Sequence, residues 1–200
     1  MNKFFALFLT LFAINSAMAQ DIELPAPDRT GGKPLMQALS ERQSTRSFQN
    51  TPLTHQQLSD LLWAANGFNR EDRRTAPTSQ NRQELELYVV MECGIYFYDA
   101  RNHRLRFVKA GDFRRNTGGQ AFVGNAPVNI LFVSDMDRAT DVEAAHINAG
   151  FVSQNIYLFA ASEGLGTVVR GSFDRNALAE LLGLPENKRV ILTQTVGHIE

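Results

Sequence analysis

The chain has 200 residues, 44% of them hydrophobic, and 20 Lys and Arg set against 21 Asp and Glu give a formal net charge of −1. That balance excludes the basic footprint of a nucleic-acid binder and offers no electrostatic hold on an anionic membrane. A single cysteine, Cys93, excludes an internal disulfide, and its place in a strand-like run predicts a buried, reduced thiol.

Lys3, the apolar run from Phe4 to Ile14 and the small-residue end Ala17-Met18-Ala19 before Gln20 have the layout of a secretory signal. The apolar run is about half the roughly twenty residues that a membrane span needs. The expected organisation is therefore a signal peptide at 1–19, an extended segment at 20–33 and one domain at 34–200. The mature protein is expected to be exported, periplasmic or secreted, with no stable membrane insertion after cleavage.

Asp21 to Lys33 carries Pro25, Pro27, Gly31 and Gly32 and reads as an extended lead-in, lying on the surface or crossing onto a partner. Pro34 suits a first helical turn, and Leu35, Met36, Ala38 and Leu39 follow at helical spacing. Thr54 as N-cap with Gln57 three residues on predicts a second helix, with Leu58, Leu61, Leu62 and Ala65 on one face and its end at Gly67. Glu86 to Glu92, Ile95 to Tyr98 and Leu105 to Val108 read as a strand and a hairpin turned at Ala100 to His103. Asn129 to Ser134, Thr167 to Arg170 and Val190 to Val196 read as further strands, and Asp174 to Leu182 as a capped helix.

Asp141 to Gly166 predicts one long helix stopped by Gly164 and Gly166, of roughly 22 residues and about 33 Å. Apolar residues wrap most of its circumference, which predicts a buried helix with more apolar surface than one small subunit covers, and hence a homodimer. Helices and strands alternate irregularly, so the fold class is α+β around a central sheet.

No Walker loop, dinucleotide glycine fingerprint, GxSxG elbow or paired metal-ligand spacing is present, and no metal site is expected. The four histidines are scattered and read as surface or satisfied residues. Three polar clusters remain. Arg42-Gln43-Ser44-Thr45-Arg46-Ser47-Phe48 puts two arginines and several hydroxyls where a helix becomes a loop, a donor fork for a phosphate or equally a solvated helix end. Ala76 to Gln83 is dense in amides and hydroxyls, which can read a ring edge or simply build a turn. Val168-Val169-Arg170-Gly171-Ser172 ends a strand in glycine, which presents backbone amides to a ligand or merely leaves the sheet.

Together these clusters resemble the FMN-dependent nitroreductase family. Arg42, Ser44, Arg46 and Phe48 match its RxSxRxF stretch, and Pro77, Ser79, Asn81 and Gln83 follow its proline, hydroxyl, asparagine, glutamine loop. Gly119-Gln120, Ala126-Pro127, Gln154-Asn155 and Gly164-Leu165-Gly166 come in the family's order, over a match from about Pro34 to His198. Leu62 to Gly67, Arg74 to Pro77, and Gly94 to Asp99 with His103 and Leu105 look closest to the branch of SagB-type dehydrogenases. The sequence departs from the family at Gln43, where a second basic residue is common, at Glu84, which replaces a proline, and at Gly197 to Glu200, where a late Lys or Arg is common.

The resemblance implies a central mixed, mainly antiparallel sheet flanked by helices, in a dimer with FMN at the subunit interface. It implies that Arg42 and Ser44 hold the phosphate and ribityl chain, that Arg46 faces the pyrimidine edge and that Asn81 bonds the pyrimidine or ribityl oxygens. Backbone amides of Arg170 and Gly171 would lie near flavin N5. FMN supplies the redox chemistry, so no side-chain catalyst is expected and the missing motifs are accounted for. The expected activity is that of an oxidoreductase on a small-molecule substrate, with substrate and electron donor unspecified. The alternatives are a non-catalytic flavin- or ligand-binding relative of the same fold, and a secreted structural or interaction domain.

Overall fold

A computed structural model describes residues 20–200, and the expected signal segment at 1–19 lies outside the described residues. In chain order the elements are β1 (Ile22–Glu23), α1 (Leu35–Glu41), α2 (His55–Asn66), β2 (Phe68–Arg70), β3 (Arg73–Arg74), β4 (Leu85–Met91), β5 (Gly94–Asp99), β6 (Arg104–Ala110), β7 (Val128–Asp135), α3 (Val142–Glu163), β8 (Leu165–Arg170), α4 (Arg175–Leu182) and β9 (Lys188–His198). Strands β2 and β3 pair with each other. The others form one sheet in the order β1-β6-β5-β4-β7-β9-β8. Every pairing among these strands is antiparallel, so the sheet is more regular than the mixed one the resemblance implies.

The two faces of the sheet serve different helices. Along β7, Val128, Ile130 and Phe132 point into the cluster under α2 and α3, while Leu131 and Val133 join Leu178 of α4 on the other side. That is the two-residue alternation of a strand buried on both faces. Helix α2 starts with the predicted capping box of Thr54 and Gln57. Helix α3 starts at Asp141, whose carboxylate accepts from the Ala144 amide at 2.6 Å, and stops at Gly164 with φ 69°.

One expectation is overturned, that of a buried Cys93, and two others are made definite. Of the two places expected for the lead-in, the structure has the surface of its own chain: Ser59 of α2 donates to the Pro25 carbonyl at 2.7 Å, Gln56 donates to that of Ala26 at 3.0 Å, and Ile22 pairs with Leu105. Residues without periodicity thus find partners through their backbone carbonyls. Cys93 is exposed, because β4 ends at Met91 and the thiol falls in the tight turn before β5, 3.4 Å from the Tyr96 hydroxyl. Helix α3 shows the expected excess of apolar surface: Ala145, Asn148, Ala149, Val152, Ile156 and Ala160 are buried within the chain, whereas Ile147 is 59% and Phe151 43% exposed.

Candidate functional site

Helix α1 ends at Arg42, whose amide still bonds the Ala38 carbonyl at 3.0 Å before the backbone turns extended. The chain then runs along β8, the open edge of the sheet. Thr45 donates its amide to the Thr167 carbonyl at 2.9 Å, and Phe48 pairs with Ile199 while burying its ring among Ala126, Val168 and Phe122. Two glycines make room for this crossing. Gly166 and Gly197 face each other across β8 and β9. A Cβ at Gly166 would stand 2.8 Å from Thr45 Cγ2, and one at Gly197 would stand 2.6 Å from Pro127 and 3.3 Å from Phe48.

Polar groups converge where this segment meets α3. Ser44 Oγ lies 2.9 Å from the Tyr157 hydroxyl, and the same hydroxyl accepts the Val169 amide at 3.1 Å. The Arg42 guanidinium stands 5.3 Å from the centroid of the Tyr157 ring, within cation–π range. A cavity of about 530 Å³ opens here, lined by Lys33, Arg42, Thr45, Tyr157, Gly164 and Ile199 among others. Tyr157 and Lys33 were not singled out from the sequence. The signal for Tyr157 was a tyrosine inside an apolar helical run, whose hydroxyl must find a partner when the ring is buried.

The other expected residues divide. Arg46 is exposed and does not line this cavity. Asn81 lines a separate cavity of about 330 Å³ with Arg73, Arg74, Pro77 and Thr78, so one chain does not place it beside Arg42 and Ser44. Its loop is unusually bent: Gln80, Asn81 and Gln83 have φ of 54°, 55° and 52°, left-handed values that non-glycine residues adopt at a cost. The side-chain amides of Asn81 (Nδ2) and Gln83 (Nε2) hold that shape by donating to the Asp72 carbonyl at 3.1 and 2.8 Å. Burial weakens the hold of the neighbouring Arg74 guanidinium on its proton.

Arg170 points away from the open edge. Its guanidinium, 4% exposed, donates to the Thr117 carbonyl at 2.7 Å and to Asn129 Oδ1 at 3.0 Å, with no carboxylate partner among the described residues. Burial draws its pKa down to about 10, so it stays charged near neutrality. A Cβ at Gly118 would lie 1.9 Å from Arg170 Nη1, so any larger residue there would push the guanidinium out of this position. The Val169 amide and Thr167 carbonyl face outward, towards Tyr157 and Thr45. Strand alternation therefore turns the Arg170 amide inward towards β9. Exposed Gly171 follows with nothing within 4 Å of where a Cβ would be. Of the two amides expected near N5, the one at Gly171 is left on the open side, and the Arg170 side chain braces the strand from beneath.

A seven-stranded antiparallel sheet flanked by helices, with the long helix α3 beside a polar cavity at its edge, is an α+β architecture of the nitroreductase-like kind. The family model of the nitroreductases matches residues 39–198, and the chain belongs to the nitroreductase family. It is 43% identical to a crystallised Ralstonia eutropha protein described as a nitroreductase, with a TM-score of 0.85 and 90% of each chain covered. A Methanocaldococcus jannaschii protein named as a nitroreductase is 31% identical over 186 residues, 84% of this chain and 93% of its own. A Bacillus subtilis protein named an FMN reductase is 26% identical over 184 residues, and the match spans 82% of this chain but 65% of that relative.

Proposed function

We propose that the protein is an exported, FMN-dependent oxidoreductase of the nitroreductase type that works as a homodimer on a small-molecule substrate. The observation that carries this reading is the convergence of Arg42, Tyr157 and the edge of β8 on one cavity, with Ser44 bonded to the Tyr157 hydroxyl at its border, in a chain whose family includes a relative named an FMN reductase.

The residues present suit that cofactor. The Arg42 guanidinium can donate a bidentate, charge-assisted pair to a phosphate, and Ser44 and Tyr157 offer hydroxyls that both donate and accept along a ribityl chain. Bound FMN would supply the redox step by accepting and passing on a hydride at N5. The chain's own part is to orient the ring, exclude water from one face and offer a backbone donor at Gly171, on the side of β8 that no strand covers. Arg170 contributes by holding β8 against Thr117 and Asn129, so that the donor does not drift.

What one chain leaves uncovered supports the dimer. Ile147 and Phe151 on α3 and Leu35, Met36 and Leu39 on α1 are exposed, and nothing lies within 4 Å of a Cβ built at Gly150. A second copy seated on that strip would bury it and bring its own Asn81 loop to the cavity, as the resemblance implies for a flavin at the interface. Export rests on residues 1–19. The dehydrogenase branch rests on Tyr96 to Leu105, built here as the β5–β6 hairpin.

The visible absorbance spectrum of the chain from Gln20, before and after added FMN, tests the reading. Flavin bands that bleach and return with substrate support an oxidoreductase, bands that never cycle point to a binding protein without turnover, and no bands with excess FMN overturn the reading.

A further inference from the structure

The cavity beside Arg42 holds a second cation that the RxSxRxF stretch does not supply. Lys33 reaches it from the N-terminal segment, and the route is built for that purpose. Gly32 has φ 90°, and a Cβ there would stand 2.4 Å from Ser162 Oγ, so only glycine lets the chain pass so close to the end of α3. The next amide, that of Lys33, donates to the same Ser162 Oγ at 2.7 Å. The Lys33 ammonium then donates to the Ala161 carbonyl at 3.1 Å and to Glu41 Oε2 at 2.6 Å.

The electrostatics of the cavity give this cation a task. The last turn of α3 presents carbonyl oxygens there, which disfavours an anion. His198, Ile199 and Glu200 add no permanent cation. Arg42 has no carboxylate within salt-bridge distance among the described residues, whereas Lys33 is balanced by Glu41, itself held by Gln37 at 2.7 Å on the exposed side of α1. A phosphate monoester carries up to two negative charges, and Arg42 alone meets one of them.

We infer that Lys33 is the second phosphate-binding cation of this site, and that Glu41 is its resting partner, which the phosphate displaces. The inference rests on the flavin reading above and sharpens it: the site selects a phosphorylated flavin over its unphosphorylated form, and the Gly31-Gly32-Lys33 turn is part of the cofactor site. A lysine that merely capped the end of α3 would support both flavins equally.

The test titrates FMN and riboflavin into the chain from Gln20, following flavin fluorescence, for the parent and for Lys33→Met, Lys33→Arg and Glu41→Gln. The expected result is a loss of about tenfold in FMN affinity for Lys33→Met, the size of one charge-assisted hydrogen bond, with riboflavin unchanged. Lys33→Arg keeps the preference for FMN, and Glu41→Gln strengthens FMN alone. Equal losses for both flavins, or none, overturn the inference while the flavin reading stands. A parent that binds neither flavin overturns the reading and the inference with it.

Discussion

The Ser44 and Tyr157 hydroxyls are 2.9 Å apart although 113 positions separate the residues, and the Tyr157 oxygen also accepts the Val169 amide. One phenol thus ties the loop after α1 to both α3 and the edge strand. Tyr157→Phe should lower stability by about 1–3 kcal/mol, since the Val169 amide loses its acceptor, and should weaken FMN as Ser44 comes free. Urea denaturation and flavin titration would show it. A variant as stable as the parent, with parental affinity, would take the hydroxyl out of both roles.

Arg42→Ala removes the guanidinium that lines the cavity. FMN affinity should fall by about 1.5–3 kcal/mol, roughly ten- to a hundredfold, with thermal stability nearly unchanged because the residue ends a helix at the surface. Unchanged affinity in equilibrium dialysis would place the phosphate elsewhere.

His103 is a half-buried link whose two partners suit the neutral ring. Ser59 Oγ donates to Pro25, so His103 Nε2 at 2.7 Å donates to Ser59, and in the neutral ring Nδ1 then accepts from the Tyr98 hydroxyl at 3.0 Å. Burial holds the His103 pKa below its ordinary value. The unfolded chain therefore takes up this proton first, and the contribution of His103 is present in full above about pH 6.5 and is lost as pH falls towards the folded pKa. Melting temperatures between about pH 7.5 and 5 should fall in the parent and fall less in His103→Asn, a residue that tolerates the φ of 50° at this turn. Parallel curves would mean that the drop comes from other groups.

Phe151→Arg puts a charge in the middle of the exposed strip on α3. In sedimentation at micromolar concentration the parent should run as a dimer and the variant as a folded monomer, with flavin affinity reduced because the Asn81 loop of the second copy is lost. Identical sedimentation of the two would move the interface off α3.

An exported flavoenzyme meets little NAD(P)H. Fractionation should place the native protein outside the cytoplasm, and under anaerobic conditions an envelope extract should reduce the bound flavin faster than NADH or NADPH. Saturable reduction by NAD(P)H with a KM inside the usual range of about 1 μM to 1 mM, and no response to the extract, would assign an ordinary reductase.

Which parts could be read in the sequence follows from the range of the interactions that make them. The capping box of Thr54 and Gln57 and the stop at Gly164 are local and fall where the residues predict. β1, β2 and β3 are two or three residues long, too short to show a period of two. At the site, Arg42 and Ser44 lie together, but Lys33 arrives through a glycine turn and Tyr157 from mid-helix, and neither approach leaves a local mark. Arg170 was assigned to the correct strand end, while the direction of its side chain depends on Thr117 and Asn129, both distant in sequence.

The facing glycines at 166 and 197 also set the order in which the molecule can be built. The notch that receives Thr45 and Phe48 exists only once β8 and β9 have paired, and those strands lie at the far end of the chain from the segment they accept. Contacts of such long sequence separation form late. On the function proposed above, a flavin would then find its complete site only after β8 and β9 have paired, so that loading would follow folding. A chain truncated before residue 197 would keep most of its core residues but lose the Ile199 wall of the cavity and the bridge that seats Phe48.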